Sequence, residues 1–147
     1  MINKFTTHSA DETITLGEKI GSRLVGGDII AYRGGLGAGK TTITHGIAKG
    51  MGLKDDVSSP TFALVNEYRG VTNLYHFDMY RINGGLDLET TGFYDYMDSD
   101  SVLAIEWSEN IANELPENII TITISRIDDE TREIEINGDE RFDDLGN

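Results

Sequence analysis

Residues 28–52 read DIIAYRGGLGAGKTTITHGIAKGMG, and the reading of this stretch decides the fold. Gly34-x-x-x-x-Gly39-Lys40-Thr41 has the spacing of a loop that wraps nucleotide phosphates. Glycines at 34, 35, 37 and 39 lack Cβ atoms, so the backbone can close around an anion with its N–H groups turned inward. The helix that follows aims its positive end at the same anion. Lys40 supplies a mobile charge for the β/γ oxygens, and the Thr41 hydroxyl is of the type that ligates Mg²⁺. Residues 28–32 (DIIAY) read as a short buried strand. Thr41 opens a helix with Ile43, Ile47 and Met51 on one face, closed by Gly52. Strand, glycine loop and helix predict an α/β fold of the P-loop NTPase type.

Working outward, residues 4–8 predict a short strand. Ser9 and Glu12 have capping-box spacing, and Leu16, Ile20 and Leu24 form a stripe on a helix expected to end near Gly26 and Gly27. The turn at 9–11 could cover the base end of a nucleotide. Beyond the phosphate helix comes the polar stretch 54–59, and 59–61 reads as loop-like, with Pro60 fixing its entry into the next strand. Ser59 and Thr61 are candidates for a switch-type loop sensing a γ-phosphate, against an ordinary strand entry. Residues 63–68 and 74–80 predict an antiparallel hairpin, so the sheet is expected to be mixed. The acidic segment 83–100 predicts one short helix near 86–90, with Phe93, Tyr94 and Tyr96 as packing residues. Residues 101–106 (SVLAIE) are a buried strand ending in a carboxylate, beside the strand that feeds the loop. A short helix at 110–115 stops at Pro116, residues 119–125 and 132–136 predict a terminal hairpin, and the acidic tail 138–147 is expected to be loose.

Composition narrows the function classes. The 147 residues are enough for one domain with a sizeable core, and 1–147 is read as a single unit. There is no cysteine, which excludes disulfides, thiol catalysis and cysteine-held zinc. A formal net charge of −14 disfavours direct gripping of a nucleic-acid backbone and is compatible with docking to a basic protein. The first residues lack the build of a signal peptide and no apolar run reaches spanning length, so a cytoplasmic protein is expected.

Mg²⁺ takes hard oxygen ligands and few of them from protein. Thr41 is one candidate and Glu106 the next. Asp78, in YHFDMYR (75–81), is a third acid, with a metal-bound water, a salt bridge to Arg81 or a helix cap as its open alternatives. His8, His45 and His76 are too dispersed for a metal constellation and are read as structural.

With these segments placed, GGLGAGKTT (34–42), SSPTFALVNEY (58–68), LYHFDMYRI (74–82) and LAIEWSE (103–109) resemble the TsaE (YjeE) family. These are small bacterial ATPases of tRNA threonylcarbamoyladenosine (t6A) formation. The resemblance runs from Ser9 to about Ile136. It implies that the loop amides of Gly35, Leu36, Gly37, Ala38 and Gly39, with Lys40, Thr41 and Thr42, bind ATP phosphates. It implies further that Thr41 and Glu106 hold Mg²⁺ and that Asp78 is an essential acid near the γ-phosphate. Ser59 and Thr61 would lie in a switch-like loop, Trp107 would be a functionally sensitive aromatic beside the acid, and Arg132 would lie near the nucleotide. The implied partners are a threonylcarbamoyl transferase subunit and its paralogous scaffold subunit (TsaD and TsaB type), with tRNA engaged only indirectly. Family loops usually read Gly-Asp-Leu-Gly-Ala-Gly-Lys; here Gly35 replaces the acid. The N-terminal turn also departs from the family, so no adenine contact is carried over from it. Two other classes share the loop. A small-molecule or nucleoside kinase would want an arginine-bearing lid, which seven scattered arginines serve poorly. A nucleotide-gated binding module would bind ATP with negligible turnover.

Overall fold

The structure, a computed structural model, describes residues 2–35, 38–53, 56–58, 65–79, 93–97 and 100–145. Among the described residues, eight strands form one mixed sheet: β1 (Ile2–Thr7), β2 (Ile29–Arg33), β3 (Asp56–Ser58), β4 (Val65–Tyr68), β5 (Leu74–Asp78), β6 (Val102–Glu106), β7 (Ile120–Arg126) and β8 (Arg132–Asn137). Their spatial order is β1-β8-β7-β2-β6-β5-β4-β3. The central β7, β2, β6 and β5 run parallel, and antiparallel strands extend the sheet on either side. All four central strands therefore end at one edge, which β2 leaves as the glycine loop.

Burial explains the pattern. Val102 to Ile105 alternate between two apolar layers and are at most 1% exposed, because a central parallel strand is covered on both faces. One layer packs β2, β7 and β8 against α1 (Ala10–Gly21) and α2 (Lys40–Gly50). The other gathers Phe77, Leu103, Ile105, Phe93 and Ile111. Phe93 and Tyr96 pack edge-on against Phe77, which bears out their reading as packing residues.

The two helices cross at backbone contact. Gly17 and Gly21 of α1 meet Gly46 and Gly50 of α2, and every Cβ added there would strike main chain: 2.6 Å from Ile43 O at Gly17, 2.2 Å from Ile47 O at Gly21, 2.3 Å from Ile14 O at Gly46 and 2.1 Å from Glu18 O at Gly50. Four-residue spacing places each pair on one helix face. Caps fix the ends. Ser9 Oγ accepts the Glu12 N–H, and Glu12 Oε1 accepts the His8 N–H, one residue earlier than a standard box. At the far end of α2, Gly52 adopts φ 75°, its N–H reaching Lys49 O and that of Leu53 reaching Ala48 O.

Three expectations need correction, and one polar stretch without a predicted element forms a strand. Helix α1 ends at Gly21, not near Gly26; Arg23 and Leu24 continue in tighter turns to Ile20 O and Gly21 O, and Ser22 Oγ donates to Lys19 O. Residues 56–58 are a strand, because β4 offers them an antiparallel partner that local polarity cannot reveal. The helix expected at 110–115 is a 3₁₀ segment, Ser108–Glu114, with Leu115 extended before Pro116. The tail is not loose through Leu145. Phe142 and Leu145 are buried in the core, and Arg141 pairs with Asp28 at 2.8 Å. The helix predicted near 86–90 lies outside the described residues.

Gly46→Ala should lower the unfolding free energy by about 1–2 kcal/mol, since a clash with main chain puts overpacking at the upper end of its ~1–3 kcal/mol range and alanine returns only ~1 kcal/mol in helix propensity. Urea unfolding against the exposed control Lys49→Ala measures this; a neutral or stabilising Gly46→Ala would show that the crossing has slack.

Candidate nucleotide site

The loop connecting β2 to α2 is shaped by close approach and by handedness. Gly34 has φ 141° and passes so near β7 that a Cβ would lie 2.4 Å from Ile124 O. Gly39 caps α2 in the left-handed region at φ 110°, where a side chain is strained. Gly35 has open space around it, so the acid usual in the family would fit sterically. Ala38 is buried, and its N–H turns back to Gly35 O at 3.3 Å. Leu36 and Gly37 lie outside the described residues.

Lys40 begins α2 with its side chain almost wholly buried. Such an ammonium must be compensated. Its Nζ donates to Gly34 O at 3.1 Å, lies 3.5 Å from Glu106 Oε1 and sits 5.7 Å from the centre of the Trp107 ring. Thr41 follows on the exposed side, and Thr42 is half-buried. The alternate face of the first turns is anchored internally: Tyr32 Oη and Thr44 Oγ1 share a 2.7 Å hydrogen bond, and the Thr44 hydroxyl donates to Lys40 O at 2.7 Å. Burial pushes the Tyr32 hydroxyl pKa upward, which keeps it a neutral hydrogen-bonding group.

Glu106 ends β6, as the sequence indicates, and β6 lies parallel beside β2. Asp78 ends β5 directly across from Glu106, exposed at the same edge. Both carboxylates and Lys40 are thus brought to the carboxyl ends of parallel strands, where open α/β sheets bind ligands. Burial pushes the Glu106 carboxyl up, but His76 and then Lys40 outweigh it, so its pKa falls below the ordinary 4.5. His76, read from sequence as structural, faces this carboxylate: its Nε2 is 2.7 Å from Oε2. Strand alternation held the signal, since His76 and Asp78 are two residues apart and share a face. Trp107 has φ 60°, the only non-glycine left-handed residue among those described; that reversal turns the chain from β6 into the 3₁₀ segment and brings the indole over Lys40. Sequence carries no marker for it.

Arg132 opens β8 next to the loop. A Cβ on Gly39 would be 3.7 Å from its Nε, and its Nη1 donates to Asp128 O and Thr131 O at 2.6 and 3.1 Å. It lines a cavity of about 220 Å³ with Gly39, Thr42, Ser9, Ala10, Thr13 and the acidic turn at 129–130. The capped start of α1 therefore does lie beside the phosphate loop. Ser59, Thr61 and Arg81 are outside the described residues, so the switch-loop reading and the salt-bridge alternative for Asp78 lie there too.

The fold and the edge at which these residues meet define an α/β protein of the phosphate-loop type. The family model described as threonylcarbamoyl adenosine biosynthesis protein TsaE matches residues 7–134. The chain belongs to the TsaE family. Among its relatives, the tRNA threonylcarbamoyladenosine biosynthesis protein TsaE of Treponema pallidum is 37% identical over 130 residues, covering 88% of this chain and 96% of that protein. Its Bacillus subtilis counterpart is 38% identical over 132 residues, covering 89% and 82%. The crystal structure of B. subtilis YdiB superposes with a TM-score of 0.77 at 32% identity, covering 99% of this chain and 92% of that one.

A carboxyl that binds its proton less tightly when folded stabilises the fold at pH above its unfolded value and loses that contribution as pH falls through the lower folded value. Wild type should therefore be more stable than Glu106→Gln at pH 6, with the gap closing as pH falls well below 4.5. Paired thermal melts across that range measure it; a gap that stays constant would mean the Glu106 charge does not contribute.

Proposed function

We propose that this protein binds and hydrolyses ATP with Mg²⁺ as an accessory subunit of tRNA threonylcarbamoyladenosine formation. The observation that carries the reading is the 3.5 Å pairing of Lys40 with Glu106 at the strand edge, with Asp78 alongside. The relatives' names supply the pathway.

Each residue has a role in this reading. Lys40 exchanges its contacts with Gly34 O and Glu106 for the β/γ oxygens, which are stronger anionic partners. Backbone N–H groups of 35–39 and the start of α2 receive the phosphates, with Thr42 behind them. The oxygens of Thr41 and Glu106 are hard donors suited to Mg²⁺, and two protein ligands are an ordinary number for that ion. When bound, Mg²⁺ neutralises charge developing on the phosphates. Asp78 orients the attacking water at the γ-phosphate from the neighbouring strand. The 220 Å³ cavity is smaller than the ~300–1,000 Å³ that encloses a whole drug-sized ligand, so it is suited to one part of a nucleotide, the base, resting between Ser9, Thr13 and Arg132. Ser59 and Thr61 sense the γ-phosphate, and Trp107 couples the Glu106 end to the surface. The partners are the transferase and scaffold subunits, which fit an acidic protein better than a tRNA backbone does. No described helix is long and apolar enough to cross a membrane, which is consistent with work in the cytoplasm.

Turnover alone should be slow, because a transition-state arginine supplied by a partner is worth ~10³–10⁵ in rate. ADP formation is measured for wild type, Lys40→Ala and Glu106→Ala, with and without the partner pair and with a panel of nucleoside acceptors. Each substitution should reduce hydrolysis by about 10²-fold or more. Phosphate appearing on an acceptor would favour a kinase; absence of ADP under every condition would leave only a nucleotide-gated binding module.

A further inference from the structure

We infer that His76 is a positioning residue for Glu106, holding Oε2 so that Oε1 is presented to the phosphate loop. The inference rests on the role proposed above for Glu106.

Three features carry it. First, the two oxygens of Glu106 are divided between two partners: Oε1 faces Lys40 Nζ at 3.5 Å, and Oε2 faces His76 Nε2 at 2.7 Å. Second, the His76 ring is 6% exposed and walled in. Tyr32 stands edge-on to it with centroids 6.0 Å apart, and Tyr32 is itself tied through Thr44 to the backbone of Lys40. Third, strand register makes the reach possible. His76 on β5 sits opposite Ala104 on β6, and Glu106 is the next residue along on Ala104's face. Residues two apart along a strand share a face, so Glu106 comes within reach of a long side chain at position 76, and Ala104 puts only a methyl group beside the contact.

The ring nitrogen is buried and close to Oε2, but it makes no well-aligned hydrogen bond in this arrangement. A buried polar atom without an aligned partner is costly, so it favours any small rotation of the carboxylate that improves the contact. That bias matters at the moment Lys40 turns to the phosphates. Glu106 then loses one of its two partners, and the other cannot leave, because β5 and the Tyr32 wall keep it in place. The carboxylate stays oriented, with Oε1 free toward the loop, instead of swinging into solvent. Residues that orient a metal-binding carboxylate from behind act in this manner, and removing them typically lowers metal affinity or activity 10–100-fold.

The test compares His76→Phe, which fills the space without an N–H, with His76→Gln, which restores a donor at similar reach. In crystals of the nucleotide-free proteins, the Glu106 carboxylate should turn away from its wild-type position in His76→Phe and keep it in His76→Gln. In solution, His76→Phe should lower ADP formation 10–100-fold and raise the Mg²⁺ concentration for half-maximal rate, while nucleotide affinity without Mg²⁺ stays within twofold; His76→Gln should recover most of both losses. Should the phenylalanine variant not fold, His76→Leu takes its place. An unmoved Glu106 in the donor-less variant, or a glutamine variant as impaired as the donor-less one, would overturn the inference. If wild type forms no ADP, the proposed function fails, and the crystallographic comparison still decides the role of His76.

Discussion

The contact between α1 and α2 is the constraint on which the site geometry depends. Where Gly17 meets Gly46, no side chain intervenes between the two backbones. That distance places the capped start of α1, with Ser9 and Thr13, beside the start of α2, with Gly39 and Thr42. A pair of methyl groups at the crossing would move one helix against the other and with it one wall of the cavity. Packed interiors transmit such changes because they have few voids to absorb them. Glycine in a helix interior costs about 1 kcal/mol relative to alanine. Four of them at one crossing therefore trade helix propensity for proximity.

The second organising feature is electrostatic. Lys40 is buried at the end of the sheet, and its charge is met by a carbonyl, a carboxylate and an aromatic face. Each contact is one the ammonium can exchange for a stronger anionic partner. Glu106 is shared in the same way between Lys40 and His76. The resting arrangement keeps opposite charges satisfied without locking them, since 3.5 Å is a loose ion pair. Trp107 contributes by its backbone as much as by its ring: a non-glycine residue at φ 60° holds the chain in a sharp reversal immediately after the acid.

Much of this was legible in the residues, for reasons that are local. The glycine loop, its flanking strand and helix, the capping residues Ser9 and Gly52, and the acid closing the 101–106 run all announce themselves within a few positions. Both hairpins were readable because turn and alternation are short-range signals. Other elements were hidden for the opposite reason. Residues 56–58 become a strand only because β4 lies alongside. Phe142 and Leu145 look like isolated apolar residues in an acidic tail until the core receives them. His76 looked structural because its partner is 30 positions away in the chain and only strand pairing joins them.

The sequence by itself therefore determined the chemistry available: a glycine loop with Lys40 and Thr41, two acids at strand ends, no thiols and a strongly negative net charge. These follow from residue type and short spacing, which sterics and charge act on directly. Tertiary structure alone decided which of those groups meet. It set β5 beside β6 so that Asp78 lies across from Glu106, brought His76 to the Glu106 carboxylate, folded Trp107 over Lys40 and brought Arg132 from the last hairpin to Gly39. Strand order and helix crossing are settled by the burial of whole faces at once, and no local stretch of the chain contains that information.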